Sequence, residues 1–425
     1  MAKMLRINMT DLTIEYQEVP KEYHTLAGRG LTSTLIYNEV PADCHPLGPN
    51  NKVVVAPGIA SGTAAPTASR ISVGAKSPLT GGIKESNAGS RFPYQLARMG
   101  IKAIVVEGQP KEDKFWILKI NMDGAAFEPA DPLVGKGLYE SAPLIYEKHG
   151  DKVAFMIIGT SGEKKMASAG ICFNDSDGRP SRYSGRGGLG AVLGSKGLKA
   201  IVLNPDGAPG VHIANQEVFD AGRKKMIDAL TTHDITKPKG ALNTYGTAVL
   251  INIMNEAGGL PTRNFASGSF AGAAKVSGEA LFEGNKERLG KELYNHACSP
   301  GCIIQCSNTW HDEKGVETAS CQEYESIWAF GPNCGIDDLD VTGKLIWLCN
   351  DIGLDTIEAG NAIAVAMEAG LLPFGDADGA INLLKEVHQG TPLGHIIGAG
   401  TEVTGKTFGV VRVPTVKGQA MPAYS

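Results

Sequence analysis

The sequence lacks any apolar run approaching the roughly 18 residues that a membrane-spanning helix needs. Its opening stretch, MAKMLRINMTDLTIEYQEV, also lacks the charged start, apolar middle and small-residue cleavage site of a secretory signal. On this reading a membrane protein is excluded and the expected location is cytoplasmic. Lysine and arginine form no long run, and 40 of them against 45 acidic residues leave a net charge of −5. The phosphate-neutralising patch that nucleic-acid binding requires is therefore missing. Cysteine is scarce, eight in 425 residues, which is too few for a disulfide scaffold. In a reducing compartment the clustering of these cysteines points to metal rather than cross-links. No repeat of fixed period is visible. Glycine, by contrast, is abundant at 54 residues, a composition suited to tight turns and close backbone approaches. The length allows two or three domains with sizeable cores, and 42% hydrophobic and 20% charged residues are ordinary for a globular chain.

Residues 1 to 204 read as short β-branched runs between turn signals: LRINM, LTIEYQEV, NKVVVAPG, IKAIVVEGQP, FWILKINMDG, VAFMIIG, AGICFNDSDG and LKAIVLNP. Helices are expected at GRGLTSTLIYNEV and SAPLIYEKHG. The stretch 205–212 gathers Pro, Gly and Asp and reads as a linker. From 213 to 425 the period changes to that of helices, as in YESIWAFG, LDVTGKLIWLCNDIG, TIEAGNAIAVAMEAG and GAINLLKEVHQG. Strands followed by helices predict an α+β protein: a β-rich N-terminal domain and a mostly helical second one.

Two local patterns carry chemistry. HACSPGCIIQCSN sets Cys298, Cys302 and Cys306 at equal steps of four, with Pro300 and Gly301 marking a turn. Thiols this close suit either zinc, with His296 and His311 as further ligands, or an iron–sulfur cluster completed from elsewhere. Spacing alone does not separate the two, and three unligated thiols on a surface turn is the plainer alternative. The second pattern, RYSGRGGLGAVLGSKGLKAIV, holds Gly185, Gly187 and Gly190 in the spacing G-x-G-x-x-G. A dinucleotide fingerprint should follow a hydrophobic strand, whereas NDSDGRPSRYS before it is polar and turn-rich. What remains is an array of glycines with Arg182, Arg186, Lys196 and Lys199 that could hold pyrophosphate-like anions, or else a packing turn with solvated cations.

Several long blocks, in order, resemble the aldehyde ferredoxin oxidoreductases, a tungsten-dependent family: VVAPGIASGTAAPTASRISVGAKSPLTGG, ESNAGSRFPYQLARMGIKAIVVEG, GRGGLGAVLGSKGLKAIVL, YGTAVLINIMNEAGGLPTRNF, EYESIWAFGPNCGIDDL and DIGLDTIEAGNAIAVAMEAG. The resemblance runs from about Leu5 to Tyr424. It implies a first domain of two sheets that cradles tungsten (or molybdenum) held by two pterins, with a magnesium linking the pterin phosphates, and a [4Fe-4S] cluster beside one pterin. Cys298, Cys302 and Cys306 then match the cluster ligands, with a first gap one residue longer than the family's usual gap. Arg70 matches the arginine between cluster and pterin. Asn87, Ala88 and Gly89 match a turn on the phosphates and magnesium, and Arg182, Tyr183, Gly185 and Arg186 match the second such contact. CNDIGLD matches the acidic pterin-ring motif, with Asn350 in its first acidic position and Gly353, Leu354 and Asp355 keeping the pattern. Glu325 matches the acid near the metal.

The resemblance implies an enzyme that oxidises a small-molecule aldehyde to a carboxylic acid and passes electrons through the cluster to ferredoxin. Members of the family continue beyond the stretch matched by VKGQAMPAYS, so it also implies a C-terminally truncated member lacking the third domain, and with it the fourth cluster cysteine. Cys321 is the nearest internal substitute. The alternative is a half-site protein without turnover of its own, needing a separately encoded third domain. Either way a homo-oligomer or a partner supplying that domain is expected, because the uncovered face would be a large apolar patch.

Overall fold

The structure, a computed structural model, describes residues 2–424. The chain forms two compact units. The first is Met1–Asp228 with Cys298–Cys302, and the second is Ala229–Ala297 with Ile303–Ser425.

In the first unit β1 (Lys3–Asn8), β2 (Thr13–Glu18), β3 (Val53–Pro57), β4 (Arg70–Lys76), β5 (Ile83–Gly89) and β6 (Ile101–Glu107) form one six-stranded sheet, ordered β2-β1-β6-β3-β4-β5. A second sheet is built from β7 (Trp116–Asn121), β8 (Gly124–Pro129), β9 (Ala154–Ile157), β10 (Ile171–Asn174), β11 (Pro180–Ser184) and β12 (Leu198–Leu203), ordered β11-β10-β9-β12-β7-β8. Side chains alternate across each strand, and the central strands β3, β9 and β12 are buried on both faces, while the edge strands β2 and β8 are not. Val53, Val55, Ile104 and Val106 meet Leu118, Met156, Phe173 and Ile201 in a core shared by the sheets. On the outer face of the first sheet, Val54, Ala56, Ala103 and Val105 pack under Leu31 and Leu35 of α1 (Gly28–Glu39). On the outer face of the second, Phe155, Ile157 and Val202 pack under Ala142 and Ile145 of α3 (Leu138–His149). Between them in sequence, α2 (Arg91–Arg98) sends Phe92 and Leu96 into the shared core. This double coverage is why the strands read as unbroken β-branched runs.

The eight foreseen strands and both foreseen helices are present, and the fold is the α+β arrangement expected. Four strands of the first unit were not foreseen: β4, β5, β8 and β11. Two corrections follow. Asn87–Gly89 is the end of strand β5 and not a turn, because Arg70↔Gly89, Ile71↔Ala88 and Ser72↔Asn87 pair antiparallel with β4. A strand, β11, does precede the glycine loop, but it is polar and pairs antiparallel with β10 at the sheet edge, unlike the parallel βαβ unit of a dinucleotide site.

The second unit is mostly helical, and its helices are punctuated by side-chain caps. Asp338 accepts from Asp340 N and Val341 N at the start of Leu339–Ile352, which ends at Gly353 in the left-handed conformation (φ 76°). Asp355 caps Thr356–Glu368, and Asp376 caps Ala377–Gln389. Among the described residues no helix is long and apolar enough to cross a membrane.

Candidate functional site

In the first unit the β4–β5 pairing places Arg70 opposite Gly89 at one end of the sheet. Arg70 Nε donates to Asn87 Oδ1 at 2.6 Å, and Asn87 Nδ2 donates to Ser72 Oγ at 3.1 Å. The guanidinium is thereby fixed to the strand. A β-carbon at Gly89 would stand 3.0 Å from Cys298 Sγ and 3.1 Å from Arg70 Nη1, so the bare glycine is what lets thiol and guanidinium approach the strand end. The cysteine turn is tied to the chain just before β4, because Thr67 N donates to Gly301 O at 3.1 Å and Gly301 takes φ 77°.

Burial would push the Cys298 thiol up, but a hydrogen bond with Cys302 and then the charge of Arg182, with help from Ser299 and Arg70, bring it down to about 5. A thiolate is the form that ligates metal. A half-buried thiolate that accepts a hydrogen bond from a neighbouring thiol, with the charge of Arg182 and Arg70 acting on it, suits a metal–sulfur centre that carries net negative charge once its thiolates are counted. Cys306 belongs to the second unit, where it follows Gln305 (φ 50°) and precedes the bridge His296↔Ser307.

The second sequence-predicted contact reaches the same region. Ser184, at the end of β11, donates from Oγ to Ser86 O of β5 at 3.3 Å, and Ser77 Oγ donates to Gly187 O at 2.7 Å. Arg182 and Tyr183 alternate on β11, and Tyr183 packs with the α3-side core. Gly185 and Arg186, both half-buried, begin the loop that follows. The structure therefore brings Arg70, Asn87–Gly89, Arg182–Arg186, Cys298 and Cys302 into one region of the first unit.

Two of the cations expected near an anion are elsewhere. Lys196 Nζ donates to Gly48 O at 2.9 Å, and Lys199 Nζ donates to Ile158 O at 2.7 Å and pairs with Glu163. Both lysines are fully buried, with burial lowering their proton affinity, Lys196 to about 8. The glycines after Gly187 serve packing as well, since β-carbons at Gly190 and Gly194 would run into the carbonyls of Gly170 and Gly162.

In the second unit the predicted pterin-ring motif is a helix–turn–helix junction. Asn350 lies in the last turn and donates from Nδ2 to Ser320 O at 3.3 Å. Gly353 supplies the left-handed cap, Leu354 is buried, and Asp355 Oδ1 accepts from Ile357 N at 3.2 Å. Glu325, in the first turn of Tyr324–Phe330, accepts from Ala423 N at 3.0 Å through Oε2. Next to it Tyr324 stacks on Tyr424 with centroids 5.4 Å apart, and burial together with the Glu325 charge raises its hydroxyl pKa. Sequence reasoning missed Glu358, which is fully buried and accepts from Thr401 N (2.9 Å) and Ala420 N (3.0 Å). In TIEAG it looks like any acid in a first helical turn. It also missed Ser72 and Thr67, which only the hidden β4–β5 hairpin brings into play.

These features define an α+β protein whose first unit brings a cysteine turn and the Arg70 guanidinium together at the end of a strand pair. The sequence pattern described as the N-terminal domain of aldehyde ferredoxin oxidoreductase matches residues 4–205, and that described as its domains 2 and 3 matches residues 222–425. A tungsten-containing aldehyde ferredoxin oxidoreductase of Thermococcus kodakarensis is 37% identical over 369 residues, 86% of this chain and 58% of the relative. One from Pyrococcus horikoshii is 34% identical over 442 residues, covering 99% and 70%. The chain belongs to the aldehyde ferredoxin oxidoreductase family. It spans less than two thirds of the Thermococcus relative's length. A solved active-site complex of benzoyl coenzyme A reductase shares the fold with a TM-score of 0.82 at 21% identity, over 100% of this chain and 66% of that one.

Proposed function

We propose that the chain takes part in tungsten-dependent oxidation of an aldehyde, R-CHO + H2O → R-COOH + 2 H+ + 2 e−, with the electrons leaving through a [4Fe-4S] cluster to ferredoxin. One observation carries this reading: Arg70 holds Asn87 through Nε while Nη1 and the Cys298 thiolate face the same bare Gly89. One cation at that point serves two electron-rich neighbours. In this reading Cys298 and Cys302, with Cys306, hold the cluster. Asn87, Ala88, Gly89, Arg182, Tyr183, Gly185 and Arg186 receive pterin phosphates and their magnesium through backbone N–H groups and guanidinium charge. Asn350 and Asp355 accept the N–H edge of a pterin ring, and Gly353 and Leu354 set the turn that aims them. When bound, the tungsten bis-pterin supplies Lewis acidity and two-electron chemistry and the cluster supplies one-electron transfer. Glu325 takes up the proton released as water adds to the carbonyl, a role suited to a half-buried carboxylate beside an apolar stack.

The test is anaerobic purification from tungstate-supplemented cells, followed by aldehyde-dependent reduction of benzyl viologen. Expected is turnover that Glu325→Gln lowers by about two orders of magnitude, the range for a lost general base. Turnover unchanged in Glu325→Gln contradicts the role given to this acid.

A further inference from the structure

On the first unit a groove of about 570 Å³ runs along α2, and one of the residues that line it is Pro300 of the cysteine turn. Arg91, Gln95 and Arg98 recur on the helix at intervals of four and three, so they share one face. Lys152, from the loop before β9, lines the groove beside them. Two of the three cations are held by neutral partners. Arg91 donates to the carbonyl oxygens of Asp151 (2.9 Å) and Ser176 (2.8 Å), and the Arg98 guanidinium lies 5.3 Å over the Tyr94 ring. None of the three makes an ion pair among the described residues, and the one acid lining the groove is the exposed Asp151. On a chain of net charge −5 this is a local excess of positive charge.

Its position gives the excess a use. Pro300 stands two residues from Cys298 and two from Cys302, so an occupant touching it comes within about 8 Å of backbone from either thiol-bearing Cα. Electron transfer weakens steeply with distance, which puts a carrier seated here at an effective range. We propose that this groove is the docking surface for an acidic, one-electron carrier protein, whose carboxylates meet Arg91, Arg98 and Lys152 while its redox centre faces Pro300. The proposal rests on the reading that electrons leave through the Cys298–Cys302 turn, and it names where the carrier sits. Positive charge around a redox exit steers an acidic partner and fixes its orientation, with most of the effect in association rate and salt dependence. Three cations with no basic run beyond them form too small a field for nucleic acid.

The experiment measures binding of an acidic bacterial-type ferredoxin to the full chain by calorimetry at low and high salt. Expected is affinity that falls about ten-fold or more between 20 and 300 mM salt. The double variant Arg98→Glu, Lys152→Glu should lose a further ten-fold or more, with its melting temperature unchanged. Lys111→Glu, an exposed cation of the same unit whose partner is Asp11, should bind as the parent does. No binding by the parent, equal binding by the double variant, or an equal loss in Lys111→Glu overturns the proposal. Viologen-linked turnover, which needs no protein carrier, reads the function separately. Turnover absent with groove-dependent binding intact counts against the function alone, whereas turnover present with ferredoxin binding indifferent to the groove counts against the docking surface alone.

Discussion

In the first unit Cys298 is held as a thiolate by Cys302 and two guanidinium groups, whereas in the second Cys334 and Cys349 are fully buried and burial pushes both thiols up. Cys334 keeps its proton and donates it to Ala329 O at 3.2 Å. The carboxylates run the other way. In the second unit both carboxylate oxygens of Glu358 accept backbone N–H groups of that unit, while the guanidinium of Arg70 is held against the neutral amide of Asn87. Burial alone therefore decides neither charge nor role. A buried ionisable group is structural where the fold already completes its hydrogen bonds, and is fit to hold a ligand where like groups are gathered and compensated from the side.

The comparison breaks first at Glu358. Replacing it with leucine leaves Thr401 N and Ala420 N without their acceptor, and should cost about 4 kcal/mol of the second unit's stability by denaturant unfolding. A loss below about 1 kcal/mol would mean this carboxylate is not structural. In the first unit, Gly89→Val puts carbon where Cys298 and Arg70 converge. Iron content should fall by about half or more while unfolding shifts by about 1 kcal/mol, and full iron retention would remove Gly89 from the site. Acidity sharpens the contrast without a large change in stability. In protein stripped of metal, alkylation of Cys298 should follow thiolate formed above about pH 5, while Cys334 and Cys349 stay unreactive to pH 8. Arg182→Gln should move the Cys298 midpoint upward, because it removes the larger of the two guanidinium contributions. The smallest effect is expected from Asn350→Asp. It removes the donor to Ser320 O, at about 1 kcal/mol, and adds the charge that a pterin-ring acceptor would use. Higher pterin retention supports that role, and a stability loss alone contradicts it.

The elements that build the shared core were legible because a strand covered on both faces must be apolar at every position, which leaves runs such as VVVAP and AIVV. The strands that build the site were not. IKESNAG and PSRYS carry polar residues at the positions from which Asn87 and Arg182 project, so they read as turns. The glycine loop was weighed on the wrong evidence for the same reason, since its preceding strand is polar. Lys196 and Lys199 look like available cations in the sequence. Their partners are main-chain carbonyls from residues far away in the chain, which no local pattern reveals. The longer helices of the second unit, such as Leu339–Ile352 and Thr356–Glu368, were legible because caps and 3.6-residue periodicity are local signals, whereas Gly278–Leu289 was not singled out. Glu358 stayed hidden because the backbone N–H groups that donate to its carboxylate lie more than 40 residues on.

Metal analysis of anaerobically isolated protein beside Cys298→Ser tests the central claim most directly, that the guanidinium-flanked turn of the first unit anchors an iron–sulfur centre. Expected are about four iron atoms per chain, with acid-labile sulfide and tungsten or molybdenum, in the parent, and loss of most of the iron in the serine variant. Iron absent from the parent, or equal in both proteins, would contradict it.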